Sequence, residues 1–427
     1  MKKILLSVLS VFVAISLSYA KVIVVDVAGG GQYTTIKEAV AAAVANDSIL
    51  VMSGDYFFDA SHGKVTVSKK LFIIGSGYTT AENGGTRLVD VPGNGLFDLD
   101  GASDGTHISG FRIDSKGTAV NIQANAQKIV IENNFFIQRS GSYCINLTSS
   151  SSDTIRSNIL VAGDQHHQTA YGIQLNSTSG DLICNNIFSW FSYAIYENTS
   201  ASGTSTIRNN IILDSGFSYY GYSSVYLYSN CLFYSNIFMN ADRGVSDQSS
   251  GKATIAYNGF FNNLSDGSTG LNPNTADPMF ENYSSSDNFN ENSLETSELD
   301  FHLKDASTYI DGGVVGPAYL DVDGSRNDIG LYGGSYPFNN DLGIPTIPEV
   351  ITISVSPTSV SPSGSITISA TGRIGGGGAA KAAKAIVPPI VEPNKANEPI
   401  IQPTTGNKNQ NPAQKTQVKK AADTKAK

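Results

Sequence analysis

The sequence predicts an all-β fold in which the chain winds as a solenoid of short parallel strands. The first observation is a repeated motif in which an asparagine, often a pair, interrupts β-branched and aromatic residues. It occurs as IENNFF (131–136), IRSNIL (155–160), ICNNIF (183–188), IRNNII (207–212), FYSNIF (233–238) and, less clearly, IAYNGF (255–260). The second observation is the spacing of its second asparagines, which is 24, 28, 24, 26 and 22 residues. Such a period indicates stacked coils built from strands.

Each repeat divides into three strands separated by corners. One coil reads YGIQLNS (171–177), DLICN (181–185) and IFSW (187–190), with the asparagine motif at the second corner. Asparagine tolerates the left-handed backbone that a tight bend needs, and rungs about 4.8 Å apart let stacked amides bond to one another. We therefore predict a structural ladder rather than a catalytic pair. Its members are Asn134, Asn158, Asn186, Asn210, Asn236 and Asn258.

The segment 26–58 predicts a first strand, a short helix that covers one end of the solenoid, and the first coil. Thr35 and Glu38 form a capping box at the start of this helix, and Ile36, Val40 and Val44 share one face. Three segments follow the last repeat: ADPMF (276–280), LDFHLKDASTYIDGG (299–313) and DVDGSRNDIGLYGG (321–334). They resemble the closing end of bacterial β-helices.

With the repeats, these segments resemble the right-handed parallel β-helix, or pectin lyase-like, superfamily over about residues 21–335, and in particular its secreted bacterial members. The resemblance implies a right-handed coil, and a substrate groove along the first strands of successive coils. It does not choose an activity, because the superfamily includes lyases, glycosidases, esterases and proteins without catalysis. The carboxylate-rich signature of pectin methylesterases is absent.

Four regions follow along the chain. Residues 1–20 read as a signal peptide, with Lys2 and Lys3 before an apolar run and small residues at the cleavage site. Residues 21–340 form the β-helix. Residues 341–372 predict a short β extension or an immunoglobulin-like remnant, since about 20 alternating residues are too few for such a sandwich. Residues 373–427 predict a disordered, basic tail rich in Pro, Ala and Lys.

The signal predicts a secreted protein, either extracellular or held at the cell surface, with a periplasmic location also open. No later segment is apolar for long enough to span a membrane. Cys144, Cys184 and Cys231 fall at different points of the coil, so we expect free, buried thiols. We expect a monomer.

The charge of the chain is divided between its body and its tail. The body, 21–370, carries 16 basic and 34 acidic residues, a net charge of −18. Such a body repels polyanions, so no nucleic acid partner is expected, and an acidic glycan would need a bridging divalent cation such as calcium. No cofactor or resident metal is otherwise indicated. Polysaccharide or cell-wall glycan is the expected partner.

Aligning the first strands on Val120, Ile145, Ile173, Ile195, Val225 and Val245 as inward positions defines the outward face. That face is rich in amides and tyrosines, which suit sugar hydroxyls and pyranose faces. The loops that lead into it add aromatic residues, including Phe191 and Tyr222. The predicted glycan-binding residues are Asn121, Asn146, Gln174, Asn176, Tyr196, Tyr226, Tyr228, Trp190 and Tyr220. The alternative interpretation is a polar ladder that stabilises the sheet and binds nothing.

Catalytic candidates are few. Asp164, His166 and His167 lie in GDQHHQ (163–168), one coil above Arg139. A histidine could act as a base near neutral pH, and Arg139 could hold a substrate carboxylate. The alternative is a polar, exposed loop. The ligand spacing is too tight, and distant ligands too few, to predict a metal site. DVDGSRND departs from a calcium loop, so we expect a structural turn with Arg326 paired to Asp311 or Asp328.

Three functions stay open at this point. The first is a non-catalytic, secreted or cell-surface β-helix that binds polysaccharide along the first-strand face. The second is a polysaccharide lyase or glycosidase acting in the same groove. The third is an adhesin or structural surface protein without a glycan ligand.

Overall fold

A computed structural model gives the structure of the protein. It describes residues 20–59, 62–78, 84–91, 93–163, 169–199, 203–217, 220–287, 289–293, 300–338, 349–356 and 367–373. The predicted parallel β-helix is confirmed: three parallel sheets run the length of the solenoid, and each coil contributes one strand to each sheet. No helix in this part of the chain is long and apolar enough to cross a membrane.

We number the sheets by the order of strands within a predicted coil. In the described residues, the first sheet has eight strands: Val65–Val67, Phe97–Leu99, Val120–Ile122, Tyr143–Thr148, Tyr171–Asn176, Tyr193–Thr199, Val225–Leu227 and Val245–Asp247. The second has ten: Val22–Val25, Ser48–Val51, Phe72–Ile74, His107–Ser109, Val130–Glu132, Thr154–Arg156, Leu182–Cys184, Ser205–Arg208, Cys231–Tyr234 and Thr254–Ala256. The third has nine: Gly54–Phe58, Thr86–Asp90, Arg112–Ser115, Phe135–Gln138, Ile159–Ala162, Ile187–Ser189, Ile211–Leu213, Ile237–Met239 and Gly259–Phe261.

The asparagine ladder is confirmed at the corner between the second and third sheets. Asn158 donates to the side-chain oxygen of Asn186 from its backbone nitrogen at 3.0 Å and its amide nitrogen at 3.1 Å. The same two bonds join each neighbouring pair of the ladder. All six asparagines are fully buried. Each side chain therefore satisfies backbone groups that a buried bend would leave without partners.

The left-handed backbone, however, belongs to the residue before each ladder asparagine. Asn185 has φ 54° and Asn209 has φ 56°, and a serine or tyrosine takes this position in other coils. The expectation that one asparagine serves both roles is therefore wrong. In a pair such as Asn209-Asn210, the first residue makes the bend and the second makes the ladder.

The capping helix runs from Ile36 to Ala42. Thr35 is its N-cap, accepting from the Glu38 backbone nitrogen at 3.2 Å and donating to the Glu38 carboxylate at 2.9 Å. Ile36 and Val40 are buried as predicted. Val44 lies beyond the end of the helix and is largely exposed, so it does not extend the apolar face.

A second apolar layer covers the outer face of the third sheet. Strands such as Ile187–Ser189 and Ile211–Leu213 are buried on both faces. Their outward residues pack against Phe301, Tyr309 and Leu331, which come from the chain after the last coil. We call residues 300–338 the return segment. Strands buried on both faces read as continuous apolar runs, as they do here.

The return segment is held by the left-handed asparagines as well as by apolar packing. Asn185 donates to the carbonyl oxygens of Leu331 and Gly333 at 2.7 and 2.9 Å. Asn209 donates to the carbonyl of Asp328 at 2.8 Å. The first asparagine of each pair thus makes the bend and also secures the segment that closes the fold.

Strand Asp300–Leu303 of the return segment pairs antiparallel with Phe280–Asn282. Arg326 donates to the carbonyl oxygens of Gly312 and Gly313, rather than to the carboxylate expected from the sequence. Glu132 forms an ion pair with Arg156, and His107 also contacts Glu132 at 2.9 Å.

The three cysteines are free and buried, as predicted. Farther along the chain, Glu349–Ser356 and Thr367–Arg373 form a two-stranded sheet within the predicted β extension. Residues 1–19 of the predicted signal and 374–427 of the predicted tail lie outside the described residues, so both stay predictions.

Candidate functional site

The outward face of the first sheet has the predicted register. Asn121 pairs with Asn146, Asn146 with Gln174, Gln174 with Tyr196, Tyr196 with Tyr226, and Tyr226 with Ser246. The next outward column departs from prediction in one coil, because a bulge places Thr199, not Asn198, opposite Asn176. The structure therefore brings the predicted amides and tyrosines into one file along the solenoid.

At one end of this file the amides bond to one another. Asn146 donates to the side-chain oxygen of Asn121 at 2.8 Å, and Asn121 donates to Asp98 at 3.0 Å. Asp98 also contacts the ammonium group of Lys64 at 2.7 Å. The Asn146 oxygen is buried and accepts no hydrogen bond within the described part of the chain. At this end the polar side chains form a hydrogen-bonded ladder in which the Asn146 oxygen is a buried acceptor.

At the other end, six tyrosines form a continuous patch that we call the tyrosine platform. Its ring centroids lie 5.1 Å apart between Tyr143 and Tyr171, and 5.6 Å between Tyr171 and Tyr193. Tyr193 is 4.7 Å from Tyr196, which is 5.4 Å from Tyr226. The sixth ring, Tyr222, meets Tyr193 edge-on at 5.2 Å. The six rings are partly exposed and present a broad aromatic surface.

Three platform residues were missed by the sequence analysis. Tyr143, Tyr171 and Tyr193 pair in register, each three residues before a member of the outward column. Strict alternation would send them to the opposite face. The spacing Tyr-x-x-Asn, Tyr-x-x-Gln and Tyr-x-x-Tyr in successive coils was the available signal.

The loop before the seventh strand of the first sheet brings further rings to the platform. Trp190 stacks on Phe217 at 6.4 Å with an interplanar angle of 28°. Tyr222 donates its backbone N–H to the Phe217 carbonyl, and Tyr220 is exposed 6.4 Å from Tyr222. Trp190 has a φ of 66°, which is unusual for a bulky residue. Phe191, also expected here, instead lies in the core.

Two other predicted binding residues have different environments. Gln174 is buried and donates a hydrogen bond to the Tyr143 hydroxyl. Tyr228 is exposed just beyond strand Val225–Leu227, with its backbone nitrogen bonded to Glu197 at 2.7 Å. Asn176 is partly exposed beside Thr148, its partner in register.

The platform hydroxyls are poor proton acceptors. Burial raises the pKa of Tyr171 to about 12, with neighbouring tyrosines adding to the effect. Burial also raises the pKa of Tyr193, where Tyr196 and Tyr226 contribute and the Arg243 charge opposes them. A tyrosinate base would need the opposite shift. The hydroxyls of Tyr171 and Tyr193 therefore stay protonated and uncharged over the ordinary pH range.

The carboxylates of the first sheet are engaged in structural bonds. Glu197 is buried at the end of its strand and accepts from the backbone nitrogens of Tyr228 and Ser229 at 2.7 and 2.9 Å. Asp247 accepts from the Ser249 backbone nitrogen at 2.8 Å. Both side chains accept hydrogen bonds from the backbone of turns that follow strands of the first sheet.

Of the four catalytic candidates, Arg139 is the one within the described residues; Asp164, His166 and His167 lie outside them. Arg139 donates to Asp114 at 2.8 Å and contacts the carboxylate of Glu291. This pairing lowers the pKa of Asp114 despite its burial. The guanidinium is thus bound to two protein carboxylates. No group of three or more metal-ligating side chains occurs among the described residues.

Three parallel sheets, a buried asparagine ladder and a capping helix together match the architecture that the resemblance implied. The fold is a parallel β-helix. No protein-family model and no curated protein sequence matches the chain.

Three solved structures show what this β-helix is similar to. The pectate lyase Pel9A matches with a TM-score of 0.46 and 14% identity, over 74% of this chain and 97% of its own. An alginate lyase from Paenibacillus sp. str. FPU-7 matches at 0.36 and 13%, over 60% and 99%. A pectin methylesterase matches at 0.31 and 10%, over 64% and 85%. At these identities the likeness concerns the fold.

Proposed function

We propose that this protein binds polysaccharide along the outward face of its first sheet and does not cleave it. The observation that carries the proposal is the tyrosine platform. Six partly exposed rings in contact exceed what a stable parallel sheet requires, since an amide ladder already serves that purpose in the neighbouring coils. Contiguous exposed aromatic surface is typical of a binding site.

The chemistry of the face suits a sugar polymer. A tyrosine ring offers an apolar surface to the C–H face of a pyranose, and its hydroxyl bonds to a sugar hydroxyl at the rim. The partly exposed Asn176 supplies an amide on the same face. Because the rungs repeat along one axis, successive coils present similar groups to successive sugar residues.

Binding without cleavage is favoured by the state of the ionisable groups. Glycoside hydrolysis needs two carboxyl groups about 5–9 Å apart across the scissile bond. Glu197 and Asp247 instead close turns. An elimination would need a base and a free cation, whereas burial raises the pKa of Tyr171 and Tyr193 and Arg139 is bound to Asp114.

We place this activity outside the cytoplasm. The N-terminal sequence supports export, and the basic tail would suit contact with anionic cell-wall polymers. The protein would then act as a secreted or cell-surface glycan-binding solenoid.

Affinity electrophoresis through gels containing a panel of polysaccharides tests the proposal. We expect retardation of the wild-type protein by at least one glycan, with no new reducing ends and no absorbance from unsaturated sugars. Tyr196→Ala should abolish retardation because Tyr196 contacts Tyr171, Tyr193 and Tyr226. Tyr336→Ala is the matched control, since Tyr336 is exposed on the return segment.

Two results would overturn the proposal. Equal retardation of the wild-type protein and a folded Tyr196→Ala variant would show that the tyrosine platform does not bind the glycan. Product formation that disappears in a His166→Ala/His167→Ala variant would establish catalysis in its place.

A further inference from the structure

We infer that the ligand of the tyrosine platform is an uncharged polysaccharide, whose pyranose rings lie flat on the tyrosines. This inference rests on the proposed function and names the ligand class for the same site. It comes from the distribution of charge around the platform, which differs from what an acidic polymer would need.

The surface of the platform itself carries no charge. The outward column offers amides, tyrosines and a serine, and the other four platform tyrosines extend the same uncharged surface. A pyranose with equatorial substituents exposes C–H groups on both faces, and an aromatic plane is complementary to such a face. A polymer with a carboxylate on each residue would have to desolvate that charge against rings without gaining a partner.

Charges near the platform are either neutralised or few. At the amide end, Lys64 and Asp98 neutralise each other at 2.7 Å. At the platform, Glu197 is buried behind the strand that carries Tyr196. Arg243 is exposed, and its positive charge opposes the rise that burial causes in the pKa of Tyr193. Among the described residues, this one arginine at the platform edge contrasts with the row of cations that a polyanion would require.

The long-range field also disfavours an acidic ligand. The body carries a net charge of −18, so an approaching polyanion is repelled before it reaches the face. An uncharged glycan experiences no such barrier, and its binding should vary little with salt. Dependence of the affinity on salt therefore distinguishes the two ligand classes.

Trp190 provides the readout. It is the single tryptophan of the chain, and it stacks on Phe217 beside the platform. We would titrate the full-length protein with uncharged β-1,4-linked glucose, xylose and mannose hexasaccharides, and with a galacturonate hexasaccharide. Each titration would be followed by Trp190 fluorescence and by isothermal calorimetry, with low and high sodium chloride and with and without calcium.

We expect at least one uncharged hexasaccharide to bind, with less than about a twofold change in Kd between the two salt concentrations. The galacturonate hexasaccharide should bind at least about tenfold more weakly in every buffer. Arg243→Gln should leave the affinity for the uncharged ligand within about twofold, whereas Tyr196→Ala should weaken it by about tenfold or more. Tyr196→Phe should retain most of the affinity, because the ring persists.

Two outcomes would overturn the inference, and they separate it from the proposed function. Tighter binding of galacturonate that Arg243→Gln abolishes would identify an acidic ligand, while glycan binding on this face would stand. Absence of binding to every hexasaccharide, together with no retardation in any polysaccharide gel, would overturn both. Retardation in a gel by an acidic polymer alone would overturn the inference and leave the proposed function intact.

Discussion

The side-chain oxygen of Asn210 accepts two hydrogen bonds from Asn186, one from its backbone nitrogen and one from its amide, both at 3.0 Å. Asn210 in turn donates to Asn236 in the same way. Each ladder asparagine is therefore donor and acceptor to its neighbours, and the register of successive coils is set at this corner. The outward face of the first sheet depends on that register, because a one-residue slip would reverse every side chain.

Replacing Asn210 with alanine should be strongly destabilising. The change leaves the buried backbone N–H of Asn186 without its acceptor and removes the amide donor to the carbonyl oxygens of Ile183 and Arg208, at about 1–3 kcal/mol for each unsatisfied group. We expect the free energy of unfolding to fall by about 3–5 kcal/mol, measured from urea denaturation.

Asn133→Gly is the matched control for the ladder. Asn133 occupies the preceding, left-handed position with φ 53°, which glycine adopts without strain. We expect a change of less than about 1 kcal/mol. If both variants were destabilised equally, the division of roles within the asparagine pair would be incorrect.

The protein should become less stable as the pH rises towards 8, in part through Asp153. Burial raises the pKa of Asp153 to about 7, with the charges of Asp181 and Asp104 adding to the effect. Because the folded-state pKa exceeds the unfolded value, the stabilisation is complete below about pH 4 and is lost as the pH passes through 7. The contribution is at most about 4 kcal/mol.

Asp153→Asn should flatten this pH dependence and raise the melting temperature at pH 8 more than at pH 5. The asparagine keeps an oxygen for the backbone nitrogen of Ile129, which Asp153 bonds at 2.8 Å. Asp305→Asn, at an exposed carboxylate, serves as the control. A variant with the wild-type pH profile would show that Asp153 does not titrate in this range.

Arg139 should prove to be a structural residue. Arg139→Gln removes the contact with Glu291 and one of the two arginine partners of Asp114, which keeps Arg87 at 2.8 Å, and should lower the free energy of unfolding by about 1–3 kcal/mol at pH 7. The loss should shrink at pH 3, because Asp114 has a lowered folded-state pKa and its contribution disappears as the pH falls through that value. Thermal unfolding at both pH values measures the effect.

Glycan retention provides the second measurement on Arg139→Gln. We expect it to match the wild-type protein in affinity gels run below the melting temperature. A folded variant that no longer binds glycan would show that Arg139 is part of the binding site.

The return segment should unfold more readily than the coils when the contacts that hold it are removed. Phe301→Ala removes a large buried side chain from the second apolar layer, at a cost of about 3–5 kcal/mol. Asn185→Gly removes two hydrogen bonds to this segment but keeps the left-handed backbone. Hydrogen exchange should then accelerate in residues 300–338 before the coils.

Hydrogen exchange in the asparagine ladder is the control measurement for exchange in the return segment. If exchange in both variants accelerated equally at Asn158 and Asn186, the return segment and the coil stack would open as one cooperative unit.

The coil stack was predictable because its signal is local and repeated. The inward positions from Val120 to Val245 alternate strictly, so the register of the first sheet followed from the sequence. The tyrosine platform was only half predicted. Tyr171 and Tyr193 lie at strand starts next to corners, where alternation fails and side-chain direction depends on how the bend is made.

Contacts between distant segments were not predictable. Asn185 meets Leu331 across 146 residues, and nothing local to Asn185 specifies that partner. Arg326 likewise found carbonyl groups instead of the expected carboxylate. The catalytic hypothesis for His166 and His167 stays a prediction.

By itself, the sequence determined the winding of this protein, because each coil carries its own apolar face and its own asparagine corner. Tertiary structure decided which residues share a surface. Stacking brings the rings of tyrosines from successive coils into contact. The return segment buries a face that each coil alone would expose. The physical reason is that strand formation depends on neighbours along the chain, whereas a binding surface depends on neighbours across it.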